Sequence, residues 1–256
     1  AWLDAAQRLG ALLQARIRQR GRPMGRPFAL GVDASEGGGD KSAWCVWGRF
    51  GVVEIVAKET PNTTEIAGTT LALMRRYRIK PWYVAFDAGG GGKQIADQLR
   101  ERGYDEIMDV DFGGRANDSR KYMNCRAELY GELREAMQPS LGQRQQIVGR
   151  IGRMLSLGAA KWSHSKLWCA SLPPDGAELR EDLAVLPLLR DGEGRLRMAP
   201  KNRPPRAASA RSEKCLRDLL GRSPDQGDAA VLAYFAWQRG GQYEALAEYD
   251  GPLVYR

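Results

Sequence analysis

Two short apolar runs in this chain each end in an aspartate followed by glycines, and that repeated ending constrains the fold more than any other feature. Phe28–Asp33 (FALGVD) leads into Ala34-Ser-Glu-Gly-Gly-Gly-Asp40, and Trp82–Phe86 (WYVAF) leads into Asp87-Ala-Gly-Gly-Gly-Gly. Short continuous apolar stretches bounded by turn residues read as strands buried on both faces. After the second run, Lys93–Arg102 has helical character and stops at Gly103, as a helix with a C′ glycine does. Ile107–Phe112 is then another strand. Strand, helix and strand in that order predict a parallel βαβ unit, with the turn after Phe86 at the carboxyl end of its strand, where sites form in such sheets.

Around this unit the pattern is mixed. Ser42–Gly48 and Val52–Lys58 read as adjacent antiparallel strands. Thr63–Tyr77 has helical spacing (Ile66, Leu71, Leu73, Met74), with Thr63 or Asn62 as N-cap. Ser119–Met137 reads as a long charged helix, 142–157 and 175–186 as further helices, and Asp191-Gly-Glu-Gly as a hairpin turn between Leu188–Leu189 and Arg195–Met198. Residues 199–211 form a proline-rich basic loop. Two helices, 212–220 and 225–238, flank Gly221-Arg-Ser-Pro, and the stretch from Gly240 reads as a peripheral tail. There is no internal repeat. These elements predict an α/β chain, a mixed sheet with helices on its faces, in a single domain.

Composition narrows the chemistry. The 256 residues carry 39 Lys+Arg against 31 Asp+Glu, a net charge of +8, which favours a polyanionic partner and nucleic acid above all. No apolar run approaches the ~20 residues that a membrane span needs, and no signal-peptide pattern opens the sequence. Cys45, Cys125, Cys169 and Cys215 are scattered without a C-x-x-C pair, which argues against zinc fingers, redox motifs and a disulfide framework. His164 is the only histidine. It reads as a surface residue, and multi-histidine metal centres are excluded. An enzyme with this composition runs its acid–base and metal chemistry on carboxylates.

Asp33 and Asp87 end strands; taken singly, each is equally a turn former. Asp228 follows Asp225 by three residues in Ser223-Pro-Asp-Gln-Gly-Asp-Ala-Ala-Val-Leu, so the two share a helix face. Asp225 is equally an acid placed favourably in a first helical turn. Asp228 precedes a buried stripe, where a carboxylate needs a cation or hydrogen-bond partner. Converging carboxylates in a low-dielectric cleft repel one another unless divalent cations lie between them. Hard oxygen ligands suit Mg²⁺ or Mn²⁺. Two such ions ~3.5–4 Å apart activate a water and stabilise the leaving oxygen of a phosphodiester, a chemistry that needs no histidine.

At these residues the sequence resembles the nuclease domain of large terminase subunits, the DNA-packaging motor proteins of tailed bacteriophages. The resemblance rests on Gly31-Val-Asp33-Ala-Ser-Glu-Gly-Gly-Gly-Asp40-Lys41-Ser42, on Ala85-Phe-Asp87-Ala-Gly-Gly-Gly-Gly92, and on Ser223-Pro-Asp225-Gln-Gly-Asp228-Ala. Phe112-Gly-Gly-Arg-Ala116 and Tyr122-Met-Asn124-Cys-Arg126-Ala-Glu128-Leu-Tyr130 lie between them, and the whole spans roughly 28–238. It implies an RNase H-like fold and a two-metal endonuclease that cuts concatemeric viral DNA in the bacterial host cytoplasm. Asp33, Asp87 and Asp228 match the metal-binding catalytic aspartates. Asp40 is expected to bind metal directly or through water, and Asp225 competes with Asp228 for the third position. The implied partners are double-stranded DNA, a small terminase subunit, the portal and an ATPase domain, with the isolated domain monomeric. That ATPase domain is absent here: Ala88-Gly-Gly-Gly-Gly-Lys93-Gln94 lacks the first glycine and the Ser/Thr of a P-loop. Residues 1–27, which begin without Met and contain a basic amphipathic stretch, are expected to be the remnant of a linker to it, with 28–238 as the nuclease domain and 239–256 as the tail.

Lys41, Arg115, Arg120, Lys121, Arg126, Lys201 and Arg203, with Arg206 and Arg211 in the same loop, are candidate phosphate contacts, and equally an ordinary solvated surface. Nothing indicates base-specific readout. Two other readings stay open: another RNase H-like nuclease of the resolvase or transposase type, and a non-catalytic DNA-binding or motor-docking module.

Overall fold

The computed structural model describes residues 3–4, 7–8, 11, 28–35, 40–89, 91–137, 172–184, 188–202 and 214–247. In chain order the strands and helices are β1 (Ala29–Asp33), β2 (Ser42–Gly48), β3 (Gly51–Lys58), α1 (Thr63–Tyr77), β4 (Val84–Asp87), α2 (Gly92–Arg100), β5 (Met108–Val110), α3 (Cys125–Met137), α4 (Ala177–Ala184), β6 (Leu188–Arg190), β7 (Leu196–Met198), α5 (Leu216–Leu220) and α6 (Asp225–Ala247). They fall into two compact units. One comprises Arg26–Gly48, Glu54–Phe112 and Pro224–Arg256, the other Ala1–Gly25, Arg49–Val53 and Gly113–Ser223.

The first unit is organised by a five-stranded sheet in the order β3-β2-β1-β4-β5. β2 pairs antiparallel with β1, and β4 pairs parallel with both β1 and β5. The sheet is therefore mixed, and β4-α2-β5 is the parallel unit expected from the sequence. All seven residues of β2 are buried, including Trp44 and Trp47.

Helices cover both faces of this sheet, and the alternation of side chains along β1 and β2 shows which helix takes which face. Gly31 faces α6 so closely that a Cβ there would meet the Ala229 carbonyl oxygen at 2.1 Å. Trp47, which pairs with Ala29 on that same face, packs its ring against Tyr234 of α6 with centroids 5.3 Å apart. Trp44, opposite Val32 on the other face, donates its indole N–H to Thr70 of α1 at 3.0 Å. Asn62 caps α1, its side chain accepting the Glu65 N–H at 3.0 Å.

The second unit holds α3, α4, the β6–β7 hairpin and α5. Three expectations are corrected by the described residues. The helix read from Ser119 begins at Cys125, because the buried Glu128 carboxylate accepts the backbone N–H groups of Asn117 (2.7 Å) and Asp118 (2.8 Å) and holds that segment in turns. Pro81–Tyr83 is a short 3-10 helix with proline in its first turn, so β4 starts at Val84 rather than Trp82. The last helix runs past 238 to Ala247. His164, Cys169, the helix expected at 142–157 and most of the 199–211 loop lie outside the described residues.

Candidate metal centre at the carboxyl edge of the sheet

β1 and β4 run parallel with Gly31 beside Ala85 and Val32 beside Phe86. One step further along that register, Asp33 and Asp87 leave the sheet side by side at its carboxyl edge. Alternation puts both side chains on the face that Gly31 presents to α6. Asp33 is 6% exposed and Asp87 half-buried.

The turn after Asp87 is built tightly. The Gly89 N–H donates to Asp87 Oδ1 at 3.2 Å and the Ala88 N–H to the Val110 carbonyl at 2.9 Å. A Cβ at Gly92 would lie 2.0 Å from the Asp87 carbonyl oxygen, so only glycine lets α2 start this close to the strand end. Gly92 thus serves local packing, whereas the sequence predicts only a turn without the P-loop pattern.

α6 brings the remaining acids. Asp225 and Asp228 occupy its first turn, 6% and 2% exposed. One turn on, Ala229, Leu232 and Ala233 are the backbone groups against Gly31. The Lys41 N–H donates to Asp225 Oδ2 at 3.2 Å. Lys41 directly precedes β2, whose Ala43 pairs with Asp33, so the amino end of α6 lies at the edge where Asp33 and Asp87 emerge. Asp40, half-buried, is in the same turn.

The chain leaving Asp33 is fixed by two buried hydroxyls. The Ser35 N–H donates to Ser42 Oγ (3.0 Å), Thr60 Oγ1 donates to the Ser35 carbonyl (2.8 Å), and the two hydroxyls are 2.6 Å apart. Sequence reasoning missed Ser42, Thr60 and the Asp225–Lys41 bond; isolated hydroxyls have no spacing signature.

Among the described residues, no three or more His, Cys, Asp or Glu side chains form a group that could hold a metal ion. What the structure brings together is an edge and a face. Asp33 and Asp87 leave adjacent strands there, and Asp225 and Asp228 begin the helix that covers them. The donors are all hard carboxylate oxygens, and three of the four acids are buried. Carboxylate oxygens are the ligand type that a divalent cation of the magnesium class takes.

Of the candidate phosphate contacts, Lys41 belongs to this unit, while Arg115, Arg120, Lys121, Arg126 and Lys201 belong to the other and Arg203 lies outside the described residues. Lys121 is engaged already. Its ammonium pairs with Glu135 at 2.8 Å and stands 4.9 Å from the centre of the Tyr122 ring. The Glu135 hydrogen bond, foremost among several causes, raises its pKa above the ordinary lysine value. Arg126 lies over the Tyr130 ring at 5.7 Å. No helix among the described residues is long and apolar enough to cross a membrane.

This mixed sheet with helices on both faces is an RNase H-like fold, and it is the fold of the nuclease domain of phage large terminase subunits. The nuclease domain of the large terminase subunit gp2 of bacterial virus Sf6 matches over 91% of this chain and 95% of its own, with a TM-score of 0.58 at 16% identity. A substituted form of that gp2 domain with manganese matches over the same shares, with a TM-score of 0.58 at 15% identity, and one with calcium does so with a TM-score of 0.58 at 16%. The sequence matches no protein-family model and no curated protein.

Proposed function

We propose that this chain is a divalent-metal-dependent DNA endonuclease, the nuclease domain of a viral genome-packaging terminase, cleaving concatemeric double-stranded DNA in the bacterial host cytoplasm. The observation that carries the reading is the matched exit of Asp33 and Asp87 from parallel strands, facing the first turn of a helix that supplies Asp228. The fold shared with the Sf6 gp2 nuclease domain supports it, as does the manganese in one form of that domain.

In this reading Asp33, Asp87 and Asp228 hold two Mg²⁺ or Mn²⁺ ions, with Asp40 contributing directly or through water. When bound, such ions activate water and neutralise the charge that develops on a phosphodiester. The chain's own residues orient that chemistry. Asp33 and Asp87 are fixed by the ladder between their strands, and Asp228 by the seating of α6 on Gly31. Because four acids at one edge repel one another, ion binding draws together carboxylates that otherwise stay apart.

Lys41 is suited to meeting a phosphate beside the acids. Arg115, Arg120, Lys121, Arg126, Lys201 and Arg203 are the further candidates for gripping the duplex backbone, with Lys121 first leaving Glu135. Such contacts carry no sequence preference, so site choice falls to a partner, the small terminase subunit. The portal and an ATPase domain complete the motor. Residues 28–238 carry the nuclease, 1–27 lead in from the ATPase domain, and 239–256 form the tail. With no P-loop, the chain itself does not hydrolyse ATP.

The test is nicking of supercoiled plasmid by the purified chain with Mg²⁺ or Mn²⁺. Cleavage is expected to stop with EDTA and in Asp87→Asn. A variant that cuts as well as the parent overturns the site. Intact, DNA-binding protein that never cuts, even when joined to an ATPase domain, favours the docking-module reading.

A further inference from the structure

We propose that Asp225 is a positioning residue, a latch that ties the turn bearing Asp40 and Lys41 to the first turn of α6, and not a ligand of the metal ions. The proposal rests on the nuclease reading above for its catalytic consequence, but the latch itself is a matter of geometry.

The turn between β1 and β2 is held at both ends. At its start, both backbone polar groups of Ser35 are tied down, the N–H by Ser42 Oγ at 3.0 Å and the carbonyl by Thr60 Oγ1 at 2.8 Å. At its end, the Lys41 N–H donates to Asp225 Oδ2 at 3.2 Å. Ser42 and Thr60 belong to the sheet side, whereas Asp225 belongs to the helix. The Asp225 bond therefore fixes the turn relative to α6, and with it Asp40 relative to Asp228, three residues along the same helix face. A carboxylate 6% exposed and occupied by a backbone N–H is oriented by that bond. The other acids of this edge have different local settings: Asp87 accepts from its own turn at Gly89, and Asp33 ends a strand.

A backbone N–H is accepted by an amide oxygen as well as by a carboxylate, whereas a cation ligand needs the negative charge. Asp225→Asn and Asp225→Ala therefore separate the two roles. With Mn²⁺ titrated in the plasmid assay, Asp225→Asn is expected to keep the metal midpoint and a rate within about threefold of the parent. Asp225→Ala is expected to lose about tenfold or more in rate and to need more metal, because Asp40 is no longer held near Asp228. Asp228→Asn and Asp87→Asn serve as ligand references.

A loss in Asp225→Asn as deep as in Asp228→Asn, or a metal-induced rise in Tm that vanishes in Asp225→Asn, overturns the proposal and makes Asp225 a ligand. An Asp225→Ala protein that equals the parent overturns it as well. Hydrogen exchange at the Lys41 amide tests the latch without any activity. Protection is expected in the parent and Asp225→Asn and its loss in Asp225→Ala; equal exchange in all three overturns the latch. If the parent neither cuts nor responds to Mn²⁺, the nuclease reading fails while the exchange result still judges the latch.

Discussion

Gly31 lies against the backbone of α6: a Cβ at this position would come 2.1 Å from the Ala229 carbonyl oxygen and 2.2 Å from the Ala233 nitrogen. Neither atom is the movable end of a side chain. Gly31→Ala must push the helix off the sheet, and is expected to destabilise by about 3 kcal/mol or more. Urea unfolding of the two proteins measures this; a change under about 0.5 kcal/mol would mean that α6 is not seated on β1 in this way.

If the acids at the carboxyl edge hold ions, their mutual repulsion sets stability against ion binding. In EDTA, Asp228→Asn is then expected to be more stable than the parent by about 1 kcal/mol, because it removes one of the like charges at that edge. Added Mn²⁺ is expected to stabilise the parent, by about 2.7 kcal/mol at a hundredfold excess over Kd, and to leave Asp228→Asn unmoved. Thermal melts with EDTA and with Mn²⁺ check both halves. A parent indifferent to Mn²⁺ would count against the ion site.

In the other unit, Asp182 of α4 is 0% exposed and its carboxylate is met by the Arg222 guanidinium. The same guanidinium reaches the Ser223 carbonyl at 3.1 Å and Glu181 at 3.3 Å. Burial works against the charge of Arg222, yet its acidic partners, Asp182 first, raise its pKa. Arg222→Ala removes the guanidinium that meets the buried Asp182 carboxylate, and is expected to cost about 3–5 kcal/mol. Pairing Arg222→Met with Asp182→Leu is expected to recover most of this. Chemical unfolding of the single and double variants decides it.

Asp191, at the turn between β6 and β7, accepts the N–H groups of Glu193 and Arg195 at 2.9 Å and Arg195 Nε at 2.8 Å. Desolvation pushes its carboxyl upward, but the Arg195 hydrogen bonds outweigh it and the pKa falls below the ordinary value. A depressed pKa contributes stability that is present above the unfolded-state value, about 3.9, and is lost as pH falls through the folded one. The stability gap between the parent and Asp191→Asn should therefore persist from neutral pH to about 5 and shrink below about 4. A gap independent of pH down to about 2 would refute the assignment.

Much of the sheet unit was legible in the sequence. Ser42–Gly48 and Thr63–Tyr77 were read with the bounds that the structure has, because a wholly buried strand and a capped amphipathic helix each leave a local signature. The strand-end aspartates were visible for the same reason, although their proposed roles rest on more than position. Where reading failed, a distant partner decided. The stretch from Gly240 reads as a peripheral tail, but a Cβ at 240 would lie 2.1 Å from the Tyr83 ring, so Gly240 lets α6 continue past that ring. Glu128 unravels the start of α3 from within that helix, which no local pattern announces. The Asp225 bond joins residues 184 apart in the chain, and the Ser35, Ser42 and Thr60 contacts join hydroxyls with nothing periodic about them.

β1 comes off the ribosome long before the helix that lies on its Gly31 face. A nascent chain therefore carries Asp33 and Asp87 for as long as the residues between β4 and α6 take to be made, without the element that bears Asp228. If these acids cut DNA, the ribosome imposes its own safety delay: a chain halted between β4 and α6 is unarmed, and the blade forms only when α6 closes over β1.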